Sequence, residues 1–190
     1  MADPQLARLM KYLILPGLEA YTQVELNGIW VDIDRLKARR KELEERKLIL
    51  FDEMLKYVPE DFKKTADFDK TGFLQRWLYG IPPDGLGIEA RFFTEKTKQP
   101  QVTEEALMDS DHPAVALLFE WRSINKKMGF FDQWEEYLGY DNRIYSYYNF
   151  TGTVTGRRSG SNPNMMQIPR EKFMRSILVA RSGHYFFEVD

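Results

Sequence analysis

Between Pro4 and Leu26 the apolar side chains Leu6, Leu9, Met10, Leu13, Ile14, Leu18, Tyr21 and Val24 recur every three or four residues, the period of a helix face. Pro16-Gly17 interrupts that period, which predicts two helical pieces with a kink between them. Asn27-Gly28 ends the pattern and Ile29-Trp30-Val31 reads as a short extended run. Asp34 is the expected cap of the next helix. From Leu36 to Tyr57 the residues Leu36, Leu43, Leu50 and Met54 or Leu55 form one narrow stripe opposite a dense Lys/Arg/Glu face. This predicts a long charged helix, stopped at Pro59 and packed along one edge.

Thr65 to Gly80 predicts a short helix (Phe68, Phe73, Leu74, Trp77, Leu78), followed by a turn over Ile81-Pro82-Pro83-Asp84-Gly85. Arg91 to Val102 has no period and is expected to be a loop. Thr103-Glu104-Glu105-Ala106 opens a brief helix. Asp111-His112-Pro113 opens a longer one running through Tyr137, with Ala114, Leu117, Leu118, Trp121, Ile124 and Met128 on its apolar side. His112 reads as a residue of that helix start and not as a ligand, because no second ligand sits at metal spacing. Beyond Gly139 the period drops to two: Arg143 to Phe150 is expected to be β-rich, and Thr151 to Pro169 structured loop with brief extended pieces. Phe173 to Ala180 is a candidate helix, and His184 to Val189 a strand ending at Asp190 that looks like a cut through a domain. The fold class expected is mainly helical α+β.

Composition narrows the chemistry. At 190 residues, 43% hydrophobic and 29% charged, the chain is too apolar to be disordered and long enough for a core burying about 70% of its unfolded surface. It has no cysteine and two histidines, which excludes disulfides and thiolate metal sites and leaves carboxylates, hydroxyls and basic groups. No apolar run of membrane-spanning length and no signal peptide is present, so a soluble cytoplasmic protein without a membrane partner is expected. The net charge of −2 hides a split: residues 151–190 carry six basic against three acidic side chains, a local +3, and the first 150 residues carry −5. Such a split suggests that the C-terminal fifth meets an anion, although chance clustering would look the same.

That fifth holds a dense polar segment. Thr151 to Pro169 packs hydroxyls, amides, glycines, Arg157 and Arg158 into nineteen residues. Glycines let backbone N–H groups approach phosphate, Ser, Thr and Asn donate to phosphate and sugar, and arginine offers a planar charged fork. Composition alone equally fits an ordinary turn-rich connection. The order of residues separates the two readings. Thr155-Gly156-Arg157, then Ser159, Ser161, Asn162-Pro163-Asn164 and Gln167-Ile168-Pro169, resembles the T-G-R-L-S-S-x-x-P-N-L-Q-x-I-P signature of family A DNA polymerases of the bacterial DNA polymerase I type. The resemblance extends backward: Leu15 to Leu18 with Asn27 to Asp32 is similar to the family's entry into the thumb, the helix after Asp34 to a long thumb helix, Glu95 to Leu107 to the thumb tip, and Glu120 to Phe131 to the helix returning to the palm. Arg175, Ala180 and Gly183 to Asp190 look like the approach to motif A.

The resemblance implies residues 1–28 as a helical entry from an exonuclease-like domain, 29–138 as thumb and 139–190 as the N-terminal part of a palm truncated at motif A. It implies that Arg157 reaches the primer-template duplex from the minor-groove side. Asn164 and Gln167 would touch sugar or base edges beside Thr155, Ser159, Ser161 and Arg175, and Lys96, Lys98, Arg122 and Lys126 would contact phosphate. Asp190 matches the motif A aspartate, catalytic as a metal ligand in a site for two Mg²⁺ ions that residues outside these 190 would complete. Arg158 stands where the family usually has Leu, Gly160 where it has Ser, Met166 in the usual Gln place and Met128 where a Lys is common. The second metal-binding Asp, the steric-gate Glu and the nucleotide-binding helix are not among these residues. The reading is therefore a fragment or split chain of a DNA-directed DNA polymerase of a bacterial or phage-infected cell, partnered by primer-template DNA, dNTPs and a complementary C-terminal fragment. A non-catalytic nucleic-acid-binding module, and a helical interaction protein using Asp34 to Tyr57, are the alternatives.

Overall fold

The structure is a computed structural model that describes residues 3–149, 152–155 and 157–187. Helix predominates, with short antiparallel strands, as expected of a mainly helical α+β chain. Helix α1 (Pro4–Leu9) passes through a π-helical turn (Met10–Ile14) into α2 (Leu15–Asn27). The wide turn lies just before Pro16, whose missing N–H cannot close an ordinary helical bond, and the Leu15 N–H instead reaches back five residues to the Met10 carbonyl. The interruption is thus an adjustment within one helical stretch. Strand β1 (Ile29–Val31) leads into the 23-residue helix α3 (Ile33–Leu55), followed by α4 (Glu60–Lys63), α5 (Thr71–Tyr79), α6 (Glu104–Leu107) and the 24-residue α7 (Pro113–Glu136). Then come β2 (Arg143–Ile144), β3 (Tyr147–Asn149), β4 (Ser159–Ser161), a 3₁₀ turn (Met165–Gln167), α8 (Lys172–Arg175) and β5 (Leu178–Val179).

Two compact units emerge, one of Met1–Lys41 with Lys127–Asp190, the other of Glu42–Lys126. In the first, a sheet in the order β2-β1-β5 pairs Ile29 with Ile144, Trp30 with Arg143 and Val179, and Val31 with Leu178, all antiparallel. Val31, Leu36, Phe131, Trp134, Ile144, Met165, Met174 and Ile177 are its buried apolar residues. Arg40 of α3 holds Asp132 at 2.7 Å and Glu135 at 3.1 Å, both on α7. The α8 turn is seated by Phe173, whose ring lies 4.7 Å beneath the Arg39 guanidinium, and by a 2.7 Å ion pair between Lys127 and Glu171.

The second unit is built on aromatic rings. Phe68 meets Phe51, Phe73, Trp77 and Trp121 with centroids 5.0 to 5.9 Å apart, largely edge to face. Buried indoles find acceptors: Trp77 Nε1 donates to the Tyr57 carbonyl at 2.9 Å, and Trp121 Nε1 to Asp69 Oδ1 at 2.8 Å. Arg46 grips Glu120 with two bonds of 2.7 and 2.8 Å, and its pKa rises chiefly through that hydrogen-bonded pair. The predicted stripe of α3 is buried at Leu36 in the first unit and at Leu43, Leu50 and Met54 here.

Three expectations are corrected. Asp32, not Asp34, begins α3: its Oδ1 accepts the Arg35 N–H at 2.9 Å and its carbonyl the Leu36 N–H, because the chain turns into the helix directly from β1. Phe173 to Ala180 is not a helix but one helical turn and a strand, since Leu178 and Val179 are taken up by pairing with β1. His184 to Phe187 form no strand among the described residues, where no partner strand is beside them, and 188–190 lie outside the described residues. The apolar residues that predicted α1 and α2 are mostly exposed: the half-buried positions of α2 are Gly17, Tyr21 and Glu25.

Candidate nucleic-acid interface

The polar segment is carried by a hairpin in the first unit. Strands β3 and β4 pair Tyr147 with Ser161, Tyr148 with Gly160 and Asn149 with Ser159, and the described residues 152–155 and 157–158 lie between the two strands. The glycines have steric reasons. A methyl group at Gly152 would collide with Ser159 Oγ, and a Cβ at Gly160 would stand 3.0 Å from Asn164 Oδ1, which accounts for glycine where the resemblance expects serine. Within the loop the Thr153 hydroxyl donates to the Arg157 carbonyl, and the Thr155 hydroxyl lies 3.5 Å from that of Thr153. The side chains of Thr155, Arg157 and Arg158 are exposed.

From β4 the chain enters the 3₁₀ turn. Asn164 caps it, its Oδ1 accepting the Met166 N–H at 3.1 Å, so one face of this predicted contact residue is committed to the backbone. Gln167 is exposed, Ser161 is exposed at the end of β4, and Ser159 is half-buried. Arg175 is half-buried and, with Met165, Met166, Ile168 and Leu178, lines a groove of about 490 Å³. The structure thus gathers Thr155, Arg157, Ser159, Ser161, Asn164, Gln167 and Arg175 into one unit.

The remaining expected contacts belong to the other unit. Lys96 and Lys98 are exposed on a loop tied by the Phe93–Pro100 bridge, with Lys98 at φ 53°. Lys126 is exposed on α7. Arg122 is half-buried, and burial pulls its pKa down against the opposing pull of Tyr79 and Glu104, though a guanidinium keeps its charge. His112 is a capping residue: its Nδ1 accepts the Ala114 N–H at 3.2 Å and its ring meets Tyr57 at 5.5 Å.

Asp190 lies outside the described residues, as does Gly156 of the signature. Among the described residues no group of three or more His, Asp or Glu side chains is placed to hold a metal ion, and Asp190, the single ligand that the resemblance implies for this chain, is not among them. No helix among them is long and apolar enough to cross a membrane.

The sequence reading missed the residues that hold the hairpin. Glu25 of α2 accepts the Tyr148 N–H at 2.6 Å, the Tyr21 ring lies 5.4 Å from that of Tyr148, and the Arg158 guanidinium carbon is 4.9 Å from the Tyr21 centroid. The one available signal was the four-residue spacing of Tyr21 and Glu25, which puts both on one side of α2.

The family model for DNA polymerase family A matches residues 34–190. The DNA polymerase I of Synechocystis is 30% identical over 92% of this chain and 17% of its own length, and the thermostable DNA polymerase I of Thermus filiformis 28% identical over 92% and 21%. The DNA polymerase of Bacillus phage SP01 is 26% identical over 86% and 22%. The chain therefore spans about a fifth of the length of these relatives. The polymerase domain of Pol1 from M. smegmatis, solved with DNA primer-template and dNTP, shares the fold with a TM-score of 0.73 at 21% identity, over 90% of this chain and 29% of that one. With the family model covering residues 34–190, most of its length, the chain belongs to DNA polymerase family A.

Proposed function

We propose that this chain is the duplex-gripping part of a DNA-directed DNA polymerase of replication or repair, working on DNA inside a bacterial or phage-infected cell. Residues 29–138 act as thumb, 139–190 as the start of the palm and 1–28 as the helical entry. The observation that carries the reading is the Thr155 to Pro169 signature, displayed around β4 with Arg157 exposed in a chain of this family. Arg157, Thr155, Ser161 and Gln167 present a planar cation, hydroxyls and an amide suited to phosphate, sugar and minor-groove acceptors, which reads every sequence alike. Lys96, Lys98, Arg122 and Lys126 add phosphate contacts without sequence preference.

Asp190 is assigned as one carboxylate ligand of a polymerase metal site. Nucleotidyl transfer rests on positioning and charge neutralisation, which one carboxylate does not supply, so extension requires the remaining palm and fingers from sequence outside these 190 residues, together with Mg²⁺ and dNTPs. The test is fluorescence anisotropy of this chain with labelled primer-template across a salt series. The expected result is weak, sequence-independent binding that falls as salt rises. Salt-independent affinity, or strong preference for one sequence, overturns the reading.

A further inference from the structure

Arg158 departs from the residue usual in the family, and its surroundings give it a role of its own. It does not point to an open surface alone: its guanidinium carbon stands 4.9 Å over the ring of Tyr21 on α2. That ring tilts against Tyr148 of β3 at 5.4 Å, and Tyr148 is paired with Gly160 of β4. One helical turn along α2, Glu25 accepts the backbone N–H of the same Tyr148 at 2.6 Å. The half-buried positions of α2, Gly17, Tyr21 and Glu25, repeat at four-residue intervals and make one stripe, while Leu18, Val24 and Leu26 stay exposed. α2 therefore spends its contacting face on the hairpin. The contacts clasp it on two sides, through the backbone of β3 and through the residue just before β4. Among the described residues, the β3–β4 ladder and this stacked cation both attach Arg158 and its neighbours to the rest of the unit.

We propose that Tyr21 and Arg158 form a latch by which α2 fixes the entry to β4, so that of the two adjacent arginines Arg158 is a positioning residue and only Arg157 makes an ionic contact with duplex. The second half of this statement rests on the duplex-binding reading; the latch itself does not. A cation over an aromatic face is directional and only partly screened by water, and its loss removes a long-range restraint on the residue that leads into β4.

Two measurements on the 190-residue chain separate the parts. In hydrogen–deuterium exchange without DNA, Arg158→Leu and Tyr21→Leu should each speed exchange in the peptide covering 147–161 by about fivefold. The double variant should be no faster than either single one, and Arg158→Lys and Tyr21→Phe, which keep a cation and a ring, should remain near the parent. Unchanged exchange in both Leu variants, or additive effects, overturns the latch whether or not the chain binds DNA. A general loss of protection beyond 147–161 marks unfolding of the Leu variants, in which case the decision falls to the slower exchange of that peptide in Arg158→Lys than in Arg158→Gln; equality there overturns the latch too. In primer-template anisotropy, Arg157→Ala should lower the log–log salt slope by about one unit, while Arg158→Leu and Tyr21→Leu weaken binding about threefold with the slope unchanged. A slope lowered by about one unit in Arg158→Leu makes Arg158 a direct phosphate contact and overturns its positioning role. Absence of salt-dependent binding by the parent chain defeats the duplex reading and, with it, the role given to Arg157, while the exchange result stands for the latch.

Discussion

At the scale of single residues, the structure ties several polar groups to one task each. Trp121 is almost fully buried, and its indole N–H and the Asn125 amide share Asp69 Oδ1 at 2.8 and 2.6 Å. Removing that acceptor leaves a buried donor short of its partner, so Asp69→Ala is expected to lower the unfolding free energy by about 1 kcal/mol, read from urea denaturation. Asp141 is a second case. The Tyr145 hydroxyl donates to its Oδ2 at 2.5 Å, and this bond, ahead of the opposing effect of desolvation, holds the carboxyl below its ordinary pKa. A folded-state pKa below the unfolded one contributes stability above the unfolded pKa, and that contribution is lost as pH falls through the folded value. Tyr145→Phe should therefore move the Asp141 titration upward toward the ordinary carboxylate range in a carbon-detected NMR titration. An unmoved midpoint would show that the Tyr145 hydroxyl is not the cause.

At the scale of elements, the entry to α3 depends on the residues on either side of β1. Asp32 caps the helix, while Asp34 lies within its first turn. Asp32→Ala is expected to cost about 1 kcal/mol and Asp34→Ala less than about half of that, measured by thermal unfolding. Before the strand, Gly28 has φ +60°, and a Cβ there would come within 2.9 Å of the Tyr145 ring and 3.0 Å of the Ile144 carbonyl oxygen. Backbone conformation and close packing both require glycine, so Gly28→Ala should destabilise by about 2 kcal/mol, because β1 is the central strand of its sheet and the displaced Tyr145 follows β2. The elements were unevenly legible beforehand. The burial stripes of α3 and α7 were readable because their period extends over more than twenty residues. The π-helical turn, the one-turn α8 and strand β5 were not, since each is decided by a missing N–H or by a partner far along the chain.

At the scale of the whole molecule, the candidate cations are divided between two units, Lys96, Lys98, Arg122 and Lys126 in one and Arg157 and Arg175 in the other. In the proposed duplex binding each of these cations counts as one phosphate contact. Replacing Lys96 and Lys98 together by Ala should reduce the log–log salt slope by about two units and leave folding intact, since both are exposed. In a completed polymerase, Asp190→Asn should abolish primer extension while leaving duplex affinity nearly unchanged; undiminished extension would remove Asp190 from the catalytic assignment.

The sequence by itself determined the long helices, the loop of 91–102, the mainly helical α+β class and the family, because these rest on local period and on an ordered run of residues from Thr155 to Pro169. It also placed the polar loop beside a β-rich segment. Only the tertiary structure decided which face of α2 packs, since of the residues at helical spacing Leu18 and Val24 are exposed while Tyr21, with the charged Glu25, makes the contacts. To the sequence's distinction between the signature Arg157 and its neighbour Arg158 it added a physical one, by bringing a ring 137 positions away in the chain under Arg158. It also set the sheet order β2-β1-β5, which pairs residue 30 with residues 143 and 179. The physical reason is common to all three: helix formation is local and announces itself in spacing, whereas strand partners and packing faces are chosen by contacts between segments more than a hundred residues apart.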